Sequence, residues 1–401
     1  MKIKHIVALI LVFSLSTISV GCNNYSDDSY NMVEKQQFAL NYFKALGKQE
    51  DTIVSPLLAM ITIGELSGIV DDCVMDKSVA LLDSKKVIYA LNIDCGRLLS
   101  EIKVADSSNT TNVTEYNEST EDSNSADNFD YSSNFLIKLE EIEKTDGFGS
   151  VYTSNLSNLY RGRINSYYTK EQYNTIIEEI DAFTEWHQYS ETDISLFNKL
   201  TYKNENIQDD KILTPCNIET VSGKEVKGVI SRDIISCNRT DKSLSCKVSS
   251  GDTEVSLVLM MPLDESTSLD EYIDSMTQDE FRGLLYGYGH EPWCKDKDGY
   301  NFNCAFPEIT DSSIIKDNST YDKMGLGELF STKLKLEGSQ GDKKLHSIIQ
   351  YTGIEVKAPS KSNNNNDYNE NATMVFNRPF VYALIEDESN YPLIMGRVDN
   401  I

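Results

Sequence analysis

Three observations predict an α+β fold. Helical periodicity is concentrated near the start of the chain, over residues 32–47, followed by a Ser-Pro step into the apolar stretch 55–64. Glu254–Asp264 is a strand-length apolar run ended by Pro262. The last residues, 376–400, hold two runs apolar on both faces, separated by the polar turn Glu386–Tyr391. A hairpin apolar on both faces has to be covered on both, which places it deep in a large sheet. The 401 residues suffice for one large domain or two average ones, and 40% hydrophobic with 25% charged residues is ordinary for a globular protein. The net charge of -26 argues against nucleic acid and anionic membrane surfaces as partners, and suits a very soluble secreted protein.

The chain opens on a targeting segment, residues 1–21. Lys2 and Lys4 form a basic start, Ile6–Leu15 an apolar core too short to cross a bilayer, and Ser19-Val-Gly21 a small-residue cleavage site. Cys22 follows directly, so lipid attachment through Cys22 is the rival reading; either way the protein leaves the cytosol. Residues 22–34 read as a flexible N-terminal segment.

In residues 32–47, Phe38, Tyr42 and Ala45 recur at helical spacing, as do Ala39, Phe43 and Leu46, and Gly47 stands at the stop. Ser55-Pro56 opens a buried helix with proline in its first turn. Residues 105–134 read as a disordered acidic insertion, since Asp and Glu sit among Ser, Asn and Thr with no Lys or Arg. Residues 169–187 predict an amphipathic helix with Ile176, Ile177, Ile180 and Phe183 on its apolar face. Ser268–Ile273 predicts a capped helix.

The eight cysteines fit an oxidising compartment, and the close pairs Cys237/Cys246 and Cys294/Cys304 predict hairpin disulfides, with Cys73/Cys95 a looser third. His290, Cys294 and Cys304 make a poor metal site, and no zinc spacing occurs. Glycosylation sequons stand at Asn24, Asn109, Asn112, Asn117, Asn155, Asn238, Asn318 and Asn371. With four histidines, no nucleophile elbow and no glycine-rich phosphate loop, nothing suggests an enzyme or a cofactor.

Several stretches carry wording as well as periodicity. Phe376-Asn-Arg-Pro-Phe380, a strand, an acidic turn and Pro392-Leu-Ile-Met-Gly-Arg-Val398 resemble the C-terminal signature of the serpins. The two N-terminal helices resemble that family's, with Leu58 where it repeats a serine. Ser195–Lys203 resembles its central strand, with Asn198 at the characteristic asparagine but no tryptophan at the end. Glu254–Asp264 with the capped helix, and Phe306–Ile309 with Tyr321–Ser331, resemble further family blocks. The Trp-Val pair and Gly-Lys segment that follow the family's helix at 169–187 are absent.

The resemblance runs in order over about residues 35–401. It implies a serpin fold: a large, mainly antiparallel central sheet, smaller sheets and a cluster of N-terminal helices. It implies a monomer that inhibits a serine (or cysteine) protease as a suicide substrate, its cleaved loop inserting into the main sheet as a new strand. No heparin is expected, because the neighbourhood Phe135–Lys144 is acidic.

By that resemblance Ser347–Val356 leads into the reactive loop, residues 357–375. Ala358, Pro359, Ser360 and Lys361 form its hinge, and Ser55, Asn198 and Gln350 lie where the sheet opens. Gln350 replaces a histidine that bonds the central asparagine in the family. Insertion would bury Lys361, Asn363, Asn365 and Asp367, at about 1–3 kcal/mol for each unpartnered amide and more for a charge. Pro359 removes a donor near the hinge. Counting back from Phe376 places the scissile bond at Tyr368-Asn369; counting forward from the hinge places it at Met374-Val375. Weakened trapping is the expectation, with a non-inhibitory binding or carrier protein as the alternative.

Overall fold

The computed structural model describes residues 28–46, 51–70, 88–102, 128–139, 148–179, 194–204, 213–232, 234–250, 254–287, 303–316, 321–322, 326–336, 343–358 and 373–401. The first helix, α1 (Asp28–Leu46), buries Phe38, Ala39, Tyr42 and Phe43, and the Phe38 and Tyr42 rings stack at 5.9 Å. After β1 (Ile53–Val54) comes α2 (Pro56–Leu66), buried along its whole length. Ser55 caps it: its Oγ accepts from Leu58 N at 3.1 Å and donates to Leu393 O at 2.7 Å, so the cap also ties the helix to the C-terminal hairpin.

Three sheets surround these helices. One has six strands, all antiparallel, in the order β1, β15 (Tyr391–Val398), β14 (Phe380–Glu386), β9 (Val255–Pro262), β8 (Ser243–Ser249) and β7 (Ile234–Arg239). The C-terminal hairpin therefore fills the middle of the sheet, which is why both its faces are apolar. Its turn is closed by buried Glu386, whose carboxylate accepts from Glu388 N at 2.6 Å and Ser389 N at 2.9 Å. Gly396 has no room for a side chain, because a Cβ there would collide with the Tyr382 phenol.

The second sheet has five strands in the order β11 (Ile309–Ile315), β12 (Leu345–Val356), β4 (Ile194–Lys203), β2 (Phe129–Lys138) and β3 (Gly162–Tyr167). It is mixed: β12/β4 and β2/β3 are parallel, the other pairs antiparallel. The third has four strands in the order β13 (Thr373–Val375), β10 (Asn303–Pro307), β6 (Glu225–Ser231) and β5 (Leu213–Glu219). The main core lies between the first two sheets around α1 and α2, joined by Cys95, Leu98 and Leu99 of α3 (Ile88–Glu101) and Leu156 and Tyr160 of α4 (Ser150–Tyr160). On the opposite face of the five-stranded sheet, α5 (Lys170–Glu179) buries Tyr173 and Ile177 against Leu136, Phe197 and Ile349; of the expected apolar face, Ile177 is buried, Ile176 is partly buried, and Ile180 and Phe183 lie outside the described residues. The helix α6 (Leu269–Ser275) carries the expected capping box between Ser268 and Glu271.

Two boundaries differ from the sequence expectation: α1 already begins at Asp28, so residues 28–34, expected as part of a flexible N-terminal segment, are helical. Residues 129–134, assigned to the acidic insertion, open strand β2, which pairs on both edges. Phe129 and Tyr131 are buried while Asp130 points out and meets Lys199 of β4 at 2.8 Å, so a period of two was hidden by polar composition. Residues 105–127 lie outside the described residues.

Candidate functional site

The site is a seam between two parallel strands. β12 and β4 are paired from Leu345↔Ile194 to Glu355↔Lys203, with one shift between Leu345 and Ser347. β12 runs into the loop at Lys357. The loop's other end is β13, on a different sheet, where Thr373, Met374 and Val375 pair in parallel with Asn303, Cys304 and Ala305. Phe376 N continues that ladder by donating to Ala305 O at 2.8 Å. The two ends of the loop are thus held by different sheets, and no loop residue stands between β12 and β4.

Of the predicted hinge, Ala358 is partly buried against the main core. Pro359, Ser360, Lys361 and the candidate scissile pair Tyr368 and Asn369 lie outside the described residues. The rival scissile pair, Met374-Val375, is inside a paired strand with Met374 6% exposed. A bond already built into a ladder cannot be laid into a protease cleft without unpicking that ladder.

Beneath the seam lies a buried polar network. Asn198 of β4 and Gln350 of β12 are register neighbours, yet their amides do not bond each other. Both donate instead to one acceptor, Thr62 Oγ1 of α2, from Asn198 Nδ2 at 2.9 Å and Gln350 Nε2 at 3.0 Å. Tyr42 of α1 donates its hydroxyl to Gln350 Oε1 at 2.7 Å. A helical threonine therefore straps both strands from below, in place of the direct bond that the family resemblance implied. One turn on, Glu65 takes a hydrogen bond from Asn198 Nδ2 at 3.1 Å and another from Ser133 of β2. Burial pushes the Glu65 carboxyl up to about 8, and its two hydrogen bonds offset only part of that. Asn198 Oδ1 is buried with no hydrogen-bond partner among the described residues. Of the three predicted sheet-opening residues, Asn198 and Gln350 meet here, whereas Ser55 serves as the helix cap and the tie to Leu393.

The end of the seam nearest the loop has its own clasp, which sequence reasoning missed. Asn204, one residue beyond β4, donates from Nδ2 to Lys357 O at 2.8 Å and accepts at Oδ1 from Lys357 N at 3.0 Å. Its backbone N–H also donates to Glu355 O at 3.1 Å. The side-chain amide acts as one more rung of the ladder. Asparagine is the signal that was available, because its side chain carries the same donor and acceptor as a peptide group. Thr62 and Glu65 had a clearer signal, as the polar positions of an apolar helix. Beside the clasp, a cleft of about 350 Å³ is lined by Thr201, Lys203, Thr310, Ser312, Gly353 and Glu355.

The cysteine expectation is corrected. Cys237 and Cys246 do oppose each other across β7 and β8, but their sulfurs are 3.5 Å apart, well beyond the roughly 2.05 Å of a bond, so no disulfide joins them. Cys304 is a free, buried thiol; it faces Cys246, and burial pushes it up. Cys95 is free as well, while Cys73 and Cys294 lie outside the described residues. The two strands that should have been cross-linked lie in the core, where thiols pack as small apolar groups. Of the sequons, Asn155 is exposed on α4, but Asn238 is 6% exposed and donates to Gly283 O at 3.4 Å, so it is closed to a glycan in the folded chain.

The serpin (serine protease inhibitor) family profile matches residues 33–401. Solved structures with the same architecture include a thermophilic serpin, tengpin, in the native state, at 18% identity and TM-score 0.67, covering 93% of this chain and 95% of that one. Native protease nexin-1 with heparin aligns at 11% identity and TM-score 0.62, covering 92% and 100%. SRPN18 from Anopheles gambiae aligns at 13% identity and TM-score 0.61, covering 93% and 99%. No curated protein matches the chain. Profile, sheet order and anchored loop agree, and the chain belongs to the serpin family.

Proposed function

We propose that this chain is a secreted inhibitor of serine (or cysteine) proteases that presents residues 357–375 as bait and has Tyr368-Asn369 as its scissile bond. The observation that carries the reading is the parallel β12/β4 seam, with one loop anchor at its end and the other on a different sheet. A loop that folds back from β12 runs antiparallel to both β12 and β4. Its insertion would replace one parallel pair by two antiparallel pairs, adding a ladder of backbone hydrogen bonds. That gain is the driving force available for displacing an acylated protease.

The loop's own residues pull the other way. Lys361, Asn363, Asn365 and Asp367 are the residues that alternate inward, and each polar group buried without a partner subtracts about 1–3 kcal/mol. Trapping is therefore weak, and much of the protease is released with the loop cut. This same observation supports the second reading, a serpin-fold protein that binds or carries a partner without trapping. The chain acts as a monomer, with no cofactor and no heparin.

The test is incubation with chymotrypsin-like, trypsin-like and papain-like proteases, followed by denaturing electrophoresis. A small fraction of covalent complex with a chymotrypsin-like enzyme, and cleavage after Tyr368, is expected. Absence of complex with every class, together with no rise in melting temperature after cleavage, would leave only the binding reading.

A further inference from the structure

Glu65 is not explained by packing. It is the one charged residue of α2, a helix buried throughout, and it is itself 0% exposed. Among the described residues no cation pairs with it. The groups that face it are Tyr131 and Ser133 from β2, Asn198 from β4, Tyr152 and Tyr160 from α4, and Cys95 from α3. All are neutral, and burial raises the tyrosines and the cysteine further from ionisation. Lys35 stands beyond Cys95, bound to Asp94. Gln350 of β12 and Tyr42 of α1 reach the same network through Thr62.

The two oxygens of Glu65 serve two adjacent strands, one accepting from Ser133 on β2 and the other from Asn198 on β4. These strands lie on one side of the seam, and β12 lies on the other. As a neutral acid, Glu65 fits the site, since the Ser133 hydroxyl can accept its proton as readily as donate. As a carboxylate, it would be a bare charge with no cation and no water. Water reaches it only if β4 and β2 lift from α2, which is the movement that splits the seam. Ionisation and opening are thereby linked.

We propose that Glu65 is a positioning residue that holds the β4/β12 seam shut in its protonated form and releases it on ionisation, so that strand insertion into this sheet accelerates at alkaline pH. The insertion clause rests on the inhibitory reading above; the hold on the seam does not.

Hydrogen exchange separates the two. Protection of β4 and β12 is measured against β9, which shares the solvent but not the network, in the full chain at about pH 6 and about pH 9, either side of the expected titration. In the wild type the protection ratio should fall about tenfold or more, and in Glu65→Gln it should stay level. A wild-type ratio that stays level, or a Glu65→Gln protein that keeps the wild-type fall, overturns the proposal. Should Glu65→Gln fail to fold, infrared difference spectra of the wild type decide. A protonated-carboxyl band that disappears with the same midpoint as the exchange supports the proposal, and no such band overturns it. A labelled peptide with the sequence of residues 358–371 is then offered at both pH values. Faster uptake at high pH supports the insertion clause. Refusal at both, with the exchange behaving as expected, sinks the inhibitory reading and leaves Glu65 as the latch.

Discussion

Removing the Asn204 side chain should loosen the seam at the point where the loop leaves it. The clasp consists of two hydrogen bonds, at 2.8 Å and 3.0 Å, to the carbonyl and amide of Lys357. Each contributes about 0.5–1.5 kcal/mol net, so Asn204→Ala removes about 1–3 kcal/mol from that end of the ladder. The backbone bond from Asn204 N to Glu355 O remains, which confines the effect to Lys357 and the residues after it. An opening equilibrium shifted by this amount changes roughly 5- to 150-fold. Amide exchange at Lys357 and Ala358 should rise by that factor, while β9 exchanges as before. Spontaneous conversion to an inserted, heat-resistant form should speed up alongside it. If the Lys357 amide exchanges no faster in Asn204→Ala than in the wild type, the clasp carries no energy and the argument fails.

Thr62→Val keeps the shape of the side chain but deprives Asn198 and Gln350 of their shared acceptor; denaturant melts should show a loss of about 1–3 kcal/mol, largely restored in Thr62→Ser. Because Glu65 is raised from 4.5 to about 8 in the folded chain, the native state holds its proton more tightly than the unfolded one. Its contribution is complete below about pH 4.5 and is lost as pH climbs to about 8, so the first unfolding transition should weaken by a few kcal/mol over that window, and not in Glu65→Gln. Gly396→Ala forces a Cβ onto the Tyr382 ring and should cost about 1–3 kcal/mol in thermal melts, with β14/β15 amides the first to lose protection. Replacing Lys361, Asn363, Asn365 and Asp367 together, as Lys361→Thr with alanine at the other three, removes the polar burden of insertion; the covalent fraction on denaturing gels should increase, and an unchanged fraction would mean that loop composition does not limit trapping.

The C-terminal hairpin was legible because two features agreed, apolar residues on both faces and a polar turn, and the structure puts it in the middle of a sheet. The Ser-Pro helix was equally plain, since a continuous apolar run leaves no exposed face. Strand β2 was lost because its alternation, Phe129, Tyr131 and Ser133, sits at the end of an acidic, Asn-rich stretch where composition outweighs period. At the site, Asn198 and Gln350 could be placed by resemblance, but the hydroxyl that joins them could not. Thr62 lies far from both in sequence, and only the packing of α2 under the sheet brings the three together. The Asn204 clasp depends on strand register to within one residue, and sequence periodicity does not fix pairing that finely. The cysteine pair shows the opposite failure: spacing found two strand neighbours correctly and inferred a bond from them.

The position of β14 and β15 has a consequence for synthesis. They lie between β1, from the start of the chain, and β9, from its middle. A chain emerging from the ribosome completes β1 and β9 long before the hairpin that joins them exists. Until β14 and β15 have emerged, β9 presents an apolar edge without its neighbour, and α2 lacks the Leu393 carbonyl that Ser55 requires. The domain therefore cannot close vectorially, and stays open until β14 and β15 are available to pair. A nascent chain stalled short of Phe380 should be held by chaperones and be open to proteolysis throughout, whereas one extended past Asn400 should become resistant in a single step.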